Sequence, residues 1–294
     1  MAESVPFGQH TIHRYAGQGR TVVLLNGCAL ASVAWDRVVA ELWGRPVVAL
    51  DRPGRCGTPA AGPPDLLRET QHLAQVVAGD GPVLLVAHSM AAFQAEALAR
   101  LFPGLVAGVV LVDPSVEPEA HSGLLGRAGA RVVARVAAAG LRLEPVRWLA
   151  AAAVRAGMRR ETHQGESLTQ PAWKADHETV PALSAAAAEL AGYAAQANDL
   201  SRLRERQAEP VAAPTIVLEG REPYGAEELA SLRRAFARLE LRQLPGSGHL
   251  MMLDTPEAVA QAVRDLDRLA GSGASDDHND WGIYPQEDPG RHRL

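Results

Sequence analysis

The stretch that decides the fold runs from residue 83 to residue 91 and reads VLLVAHSMA. Its first five residues are apolar without alternation, which is typical of a strand buried on both faces, and a helical pattern begins at Met90. A sharp turn between the two requires small residues two positions before and after the serine, and Ala87 and Ala91 meet this requirement. Such a turn places the hydroxyl of Ser89 above the sheet edge, at a helix N-terminus that favours negative charge. The segment therefore predicts a nucleophilic serine.

Similar apolar runs recur along the chain, and helical patterns lie between them. Strands are expected at 21–26, 46–50, 83–87, 108–113, 215–218 and 241–244. Helices are expected at 33–42, 65–78, 90–101, 226–239 and 256–269. This alternation predicts an α/β fold, with a mostly parallel, doubly wound sheet and right-handed crossovers.

One segment interrupts the alternation. Residues 116–210 are dominated by Ala, Arg, Glu and Leu and contain no strand pattern, so we expect helices inserted after the fourth parallel strand. Residues 1–115 and 211–270 then form the α/β core. Residues 271–294 are polar and broken by Gly and Pro, which predicts a disordered tail.

Composition excludes several classes of protein. Of the 294 residues, 47% are hydrophobic, which is enough for a large core, and the net charge of −5 favours no nucleic-acid partner. No uncharged apolar run reaches the ~20 residues of a membrane span, and the N-terminus lacks a secretory pattern. Two cysteines cannot form a disulfide framework or a four-cysteine zinc site. We expect a cytoplasmic protein whose oligomeric state stays open.

A serine hydroxyl needs a general base, and the chain offers ten histidines. His249 is the best placed, because it follows the loop 246–248 (Gly-Ser-Gly) after an expected strand and precedes an expected helix. His88 is adjacent to Ser89, but its side chain should point away from the serine at such a turn.

The base needs an acid to orient it, and two carboxylates fit the chain order serine, acid, histidine. Asp113 ends the strand at 108–113, and Glu222 follows the strand at 215–218 by a short loop. Both are expected at the carboxyl edge of the sheet, where the serine also lies.

An oxyanion needs two backbone N–H donors. We expect the first from Met90, directly after the serine, and the second from Cys28 in the loop after the first parallel strand. Asn26 and Gly27 begin this loop and support it, while the Cys28 thiol has no expected role. Nothing in the sequence implies a metal or an organic cofactor.

Four of these motifs, in this order, resemble those of the α/β-hydrolase superfamily. Asn-Gly-Cys at 26–28 is similar to the oxyanion loop, usually His-Gly-x, and residues 51–57 resemble the loop Asp-x-x-Gly-x-Gly. Residues 87–91 resemble the nucleophile elbow Gly-x-Ser-x-Gly, and residues 246–249 resemble the catalytic histidine loop. The resemblance implies a serine nucleophile and identifies the helical insertion as the cap of that fold.

The acid departs from the family pattern. Most members carry Gly-x-x-Asp after the strand that corresponds to 215–218, whereas this chain has glutamate, Glu222, one place early. A minority of members place the acid after the preceding strand, where Asp113 stands. We therefore favour Asp113 over Glu222.

The leading hypothesis is a serine hydrolase that cleaves a small or medium, apolar ester, lactone or thioester through an acyl-enzyme. Serine at position 89 argues against epoxide hydrolases and haloalkane dehalogenases, which use aspartate at the elbow. The same site in other members cleaves carbon–carbon bonds or acts as a cofactor-free haloperoxidase or perhydrolase. A non-catalytic ligand-binding protein on this scaffold is the alternative from another class, since the acid is irregular and both elbow glycines are alanine.

Overall fold

The computed structural model describes residues 2–117 and 127–272. One eight-stranded sheet runs through the molecule in the order β1-β2-β4-β3-β5-β6-β7-β8, antiparallel at β1 and β2 and parallel from β4 onward. Its strands are β1 (Glu3–Phe7), β2 (His10–Tyr15), β3 (Val22–Leu25), β4 (Val47–Asp51), β5 (Val83–His88), β6 (Val106–Val112), β7 (Thr215–Glu219) and β8 (Leu239–Gln243). The expected α/β fold with a mostly parallel sheet is confirmed.

Helices cover both faces of the sheet, because the parallel strands are buried on both sides. The helices are α1 (Asp36–Glu41), α2 (Leu66–Val77), α3 (Ala91–Leu101), α4 (Arg127–Gly140), α5 (Glu144–Arg160), α6 (Pro171–His177), α7 (Val180–Arg206), α8 (Ala226–Ala235), α9 (Met251–Asp254) and α10 (Pro256–Ser272). Helices α1 and α10 pack on one face, and α2, α3 and α8 pack on the other. No described helix is both long and apolar enough to cross a membrane.

The strand order creates a crevice at the carboxyl edge of the sheet. From β3 the chain passes to β4 on one side and then returns to β5 on the other. The loops that leave β3 and β5 therefore diverge, and open α/β sheets bind their ligands at such a switch point. The predicted oxyanion loop and the predicted nucleophile follow these two strands.

Helices α4 to α7 lie between β6, the fourth parallel strand, and β7. We call these four helices and their connections, residues 127–206, the cap. The division of the chain into core, cap and tail stays a prediction. Residues 273–294 of the expected tail lie outside the described residues, whereas Gly271 and Ser272 belong to the end of α10.

Two local features differ from the sequence expectation. The hairpin β1–β2 was not predicted, because β1 is exposed and β2 is mostly polar, so neither gives an apolar run; Gly8, at φ +61°, lies in its two-residue turn. The helix predicted at 226–239 is wrong at its end, because α8 stops at Ala235. Phe236 instead forms a β-bridge with Val211, and β8 begins at Leu239.

Candidate active site

Ser89 stands at the turn between β5 and α3, in a strained backbone conformation with φ +52°. Left-handed φ values are uncommon for residues other than glycine and concentrate at functional sites. The amide of Ser89 donates to the carbonyl of Val112 at 3.1 Å, which fixes the turn to the end of β6. Its flanking residues Ala87 and Ala91 are fully buried, so larger side chains would not fit.

Asp113 and His249 meet at the same edge of the sheet. Oδ2 of Asp113 lies 2.5 Å from Nδ1 of His249. Oδ1 of Asp113 accepts from the amide of Gly220 at 3.3 Å and from the hydroxyl of Tyr224 at 3.4 Å. Glu222 is exposed, and within the described residues it has neither a hydrogen bond nor an ion pair. The structure therefore brings Asp113, and not Glu222, to His249.

His88, the residue before Ser89, contacts the loop that carries His249. Its buried ring donates from Nε2 to the carbonyl of His249 at 3.0 Å, and the two ring centroids are 4.5 Å apart. Burial, followed by the charge of His249, holds the pKa of His88 well below 6.5. His88 is consequently neutral, with its proton on Nε2, and its backbone neighbour Ser89 is held close to the His249 loop.

The hydroxyl of Ser89 is 3.5 Å from Oγ of Ser115. In the part of the chain that the structure describes, no hydrogen bond joins this hydroxyl to His249. Hydrogen bonds of this kind are often long or absent before a substrate binds. The geometry therefore orients His249 through Asp113 and places the Ser89 hydroxyl beside Ser115.

Gly27 permits the close approach of the β3 loop to the serine turn. A Cβ atom on Gly27 would lie 2.4 Å from Nδ1 of His88 and 3.1 Å from Cβ of Ser89. Within the described residues, the amides of the next residue, Cys28, and of Met90 donate no hydrogen bond. Both expected oxyanion donors are therefore unpaired and lie on the two segments that meet at Ser89.

In the loop after β3, the Asn26 side chain forms hydrogen bonds that hold the loop, whereas the Cys28 thiol is buried and protonated. Burial, reinforced by Glu189, raises the pKa of Cys28 to about 12, so the thiol stays protonated. The side chain of Asn26 donates to the carbonyl of Leu50 and to Asp51, and it accepts from Nε1 of Trp35 at 2.8 Å. Asn26 thus braces the start of the loop against β4.

A buried ion pair between the core and the cap was missed by sequence reasoning. Nε of Arg52, in the loop after β4, donates to Glu189 of α7 at 2.8 Å. The other nitrogens of Arg52 donate to the carbonyls of Asn26 at 2.6 Å and Gly27 at 2.5 Å. Oε2 of Glu189 accepts from the amide of Ala29 at 2.7 Å.

Burial alone would raise the pKa of Glu189, but the charges of Arg52 and Arg55 outweigh it and hold the pKa below its usual range. The carboxylate is therefore ionised inside the protein. The resemblance of residues 51–57 to a family loop assigned no role to Arg52, and nothing in the pattern around Glu189 distinguishes it from other polar residues of a helix.

The cap also binds the β3 loop through His177. Its Nδ1 donates to the carbonyl of Trp173 at 2.8 Å, and its Nε2 accepts from the amide of Ala31 at 3.1 Å. Burial, followed by the charge of Arg55, lowers the pKa of His177 to about 4. The ring is thus neutral and acts as an acceptor for the loop.

A third contact joins the cap to the loop of His249. The amide of Leu250 donates to the carbonyl of Glu161 at 2.9 Å. Asp254 accepts from the hydroxyl of Thr162 at 2.5 Å and, through its other oxygen, from the amide of Gly248 at 2.9 Å. The residues that follow α5 therefore hold the histidine loop in place.

Within residues 2–117 and 127–272, two groups of side chains have the donor atoms and the proximity to hold a metal ion, and neither includes a residue of the serine site. They are His10, Glu69 and His72, and His13, Asp51 and Cys56. In the second group Asp51 is already saturated, because it accepts from Ser32, Asn26, His13 and Cys56.

Residues 22–262 match the model of the alpha/beta hydrolase family, and the chain belongs to this family. The match covers both the sheet strands from β3 onward and the inserted helices. This match agrees with the α/β-hydrolase architecture of the sheet and with the strand–serine–helix turn at Ser89.

Among curated proteins, the chain is similar to lipase LipV of Mycobacterium tuberculosis (strain ATCC 25618 / H37Rv). The two are 34% identical over 108 residues, which are 36% of this chain and 41% of LipV. The chain thus matches less than half the length of that relative.

Solved structures show the same fold at lower identity. A candidate epoxide hydrolase from Pseudomonas aeruginosa is 19% identical, with a TM-score of 0.68 over 92% of this chain and 97% of that one. ALR0039 from Nostoc sp PCC 7120 is 20% identical, with a TM-score of 0.68 over 90% and 97% of the two chains.

Proposed function

We propose that this protein is a serine hydrolase of apolar esters, lactones or thioesters, with Ser89 as nucleophile, His249 as base and Asp113 as acid. The observation that carries the proposal is the 2.5 Å contact between Asp113 and His249, at the sheet edge where Ser89 occupies a left-handed turn. The contact uses Nδ1 of His249. Its Nε2 is therefore the atom available to the serine.

The reaction follows from this arrangement. His249 Nε2 takes the proton of Ser89 as Oγ attacks the substrate carbonyl carbon, and the carbonyl oxygen becomes an oxyanion. The amides of Cys28 and Met90 stabilise that charge. His249 then returns the proton to the leaving alcohol or thiol as the carbon–heteroatom bond breaks. A water molecule, deprotonated by His249, attacks the acyl-enzyme and releases the acid and Ser89.

The side chains packed next to the serine turn are mainly apolar. Met90 and Phe93 are buried in a cluster with residues of α7, and Cys28 and Tyr193 pack against it. LipV, described as a lipase, supports an ester through its partial match. The structural neighbour described as a candidate epoxide hydrolase supports the fold alone, and serine at position 89 favours acyl transfer over epoxide opening.

A fluorophosphonate probe followed by mass spectrometry tests the proposal without knowledge of the substrate. We expect an adduct on Ser89 of the wild type, none on the Ser89→Ala variant, and hydrolysis of p-nitrophenyl butyrate by the wild type only. Turnover unchanged in Ser89→Ala would contradict the mechanism. Failure of a well-folded wild type both to react and to turn over short esters and thioesters would favour a binding protein instead.

A further inference from the structure

The strongest unassigned feature is the buried connection between Glu189 of the cap and the oxyanion loop. We infer that Glu189 and Arg52 are positioning residues, which aim the Cys28 amide at the reacting carbonyl and couple turnover to the seating of the cap. This inference rests on the proposed function, because it concerns the same oxyanion.

Arg52 acts on the peptide unit that carries the donor. The carbonyl of Gly27 and the amide of Cys28 belong to one trans peptide, so they point in opposite directions. Arg52 holds that carbonyl at 2.5 Å. It therefore also fixes the direction of the Cys28 N–H, which points away from the guanidinium.

Glu189 fixes the next peptide unit and holds Arg52 at the same time. One oxygen accepts from Ala29, and the other accepts from Arg52. Ala29 has φ +61°, a conformation that a non-glycine residue keeps only when its surroundings hold it. Because the carboxylate belongs to α7, a displacement of this helix would release both peptides.

A second buried glutamate provides a matched control. Glu96 of α3 binds Arg100 at 2.8 Å and Arg204 of α7 at 2.7 Å. Like Glu189, it is buried and binds two arginines, and one of them, Arg204, joins α7 to the core. Among the described residues none of its contacts involves the oxyanion loop, so its loss should affect stability and not the transition state.

The test compares Glu189→Gln with Glu96→Gln for p-nitrophenyl butyrate turnover and for affinity toward a trifluoromethyl ketone, which forms a tetrahedral adduct. We expect both variants to lower Tm. Only Glu189→Gln should lower kcat, by about 10²-fold with KM unchanged. It should also weaken binding of the ketone by a similar factor, since this is the usual effect of losing one oxyanion donor.

Glu189→Asp guards against misfolding, because it retains the charge for both arginines but is one methylene too short to keep the contact with Ala29. It should fold and still lose kcat, whereas Glu96→Asp should not. A folded Glu189 variant with the kcat and ketone affinity of the wild type would overturn the inference. An inactive wild type that does not label at Ser89 would instead count against the proposed function.

An independent observation concerns the group formed by His10 of β2 with Glu69 and His72 of α2. We propose that these three side chains bind a borderline divalent cation such as Zn²⁺. Glu69 and His72 lie on one helix face at spacing i, i+3, and the donor atoms of all three residues lie within 4.8 Å of one another. Imidazole and carboxylate are ligands that Zn²⁺ prefers.

His10 is the buried member of this group, Glu69 and His72 are half-buried, and Nε2 of His10 lies 2.9 Å from Oε2 of Glu69. His10 is 2% exposed, and Nδ1 of both His10 and His72 is buried without a hydrogen-bond partner in the described part of the chain. The three residues line a cavity of about 470 Å³, which leaves a fourth coordination position accessible. Asp65, Arg68, Arg131 and Arg135 also line it, so an anion is the favoured fourth ligand.

Titration of the chelator-treated full chain with Zn²⁺, followed by calorimetry, tests this site, and Co²⁺ spectra report its geometry. We expect saturable one-site binding and an affinity lower by about tenfold or more in His72→Gln. Cys56→Ser, in the competing group, and His163→Gln, at an exposed histidine, should bind like the wild type. The absence of saturable binding, or equal affinity in a folded His72→Gln variant, would overturn the site.

Discussion

Asp113 and His249 are 136 positions apart in the chain, yet their side chains meet at 2.5 Å. Asp113 directly follows β6, and its amide donates to the carbonyl of Leu218 in the neighbouring β7. Its φ of +42° turns the residue out of the strand direction. The carboxylate therefore projects beyond the sheet edge, where the loop after β8 presents the imidazole.

The choice of acid can be tested by exchanging each carboxylate for its amide. Asp113→Asn should lower kcat toward p-nitrophenyl butyrate by about 10³–10⁴-fold, because the amide no longer selects the required His249 tautomer. Asparagine tolerates the left-handed backbone of position 113, so the fold should persist. Glu222→Gln should retain kcat within about twofold, and comparable losses in both variants would contradict the assignment.

Tyr224 should support Asp113 from the side opposite to His249. Its hydroxyl donates to Oδ1 of Asp113 and to the carbonyl of Pro114. Burial, followed by the charge of Asp113, raises the pKa of Tyr224, so the hydroxyl remains a donor. Tyr224→Phe should lower kcat about threefold to tenfold, which is about 0.6–1.4 kcal/mol and less than a short hydrogen bond to a charged group contributes, because this contact is long at 3.4 Å.

The matching control for that experiment is Tyr15→Phe, on β2, which should leave kcat unchanged. Steady-state kinetics measure the effect of each substitution on turnover, and Tm measures its effect on stability. If Tyr224→Phe lowered Tm but left kcat at the wild-type value, the hydroxyl would be structural only.

Gly27→Ala tests the contact between the oxyanion loop and the serine turn. The added methyl would meet His88 at 2.4 Å, and the buried imidazole has little room to move. We expect a loss of about 1–3 kcal/mol in the free energy of unfolding, as for other overpacked sites, and about 10²-fold in kcat. The loop would have to withdraw the Cys28 amide to accommodate the methyl group.

Gly104→Ala is the control for this substitution, because a Cβ atom there meets nothing within 4 Å. Its unfolding free energy and kcat should stay close to those of the wild type. If Gly27→Ala matched this control in urea denaturation and in turnover, the prediction would be contradicted. The close approach of the Gly27 loop to the serine turn would then be unnecessary for stability and activity.

The free energy of unfolding should decrease as the pH falls, because the buried His177 resists protonation in the folded protein. Its pKa is about 4 in the folded chain and 6.5 when unperturbed, so only the unfolded chain takes up the proton between these values. The free energy of unfolding should therefore decrease as pH falls from about 6.5 to about 4, by up to about 3 kcal/mol from this residue. His88, whose pKa is also lowered, contributes with the same sign.

Urea denaturation of His177→Gln across this pH range measures the His177 contribution. Glutamine can keep a donor and an acceptor but does not titrate, so the variant should show a shallower pH dependence than the wild type. His163→Gln, at an exposed position, should retain the wild-type slope. Identical slopes in all three proteins would contradict the linkage.

Local sequence patterns were sufficient for much of the fold. The run at 83–87 had to be a buried strand because it contains no polar residue to face solvent, and the small residues around Ser89 required a sharp turn. The hairpin β1–β2 had no such signal, since the edge strand β1 is exposed and β2 consists mostly of polar residues. The end of α8 depended on pairing with Val211, a contact remote in the chain.

The sequence by itself determined the mostly parallel sheet and the order of the serine, oxyanion and histidine motifs, because these depend on side-chain patterns over a few residues. The sequence limited the candidates for the acid to two carboxylates, Asp113 and Glu222, but it did not indicate which of them contacts His249. Only the tertiary structure decided that Asp113 makes this contact and that Glu189 binds the loop after β3. Both contacts join residues more than 100 positions apart, and their formation depends on strand register and helix packing that no local pattern encodes.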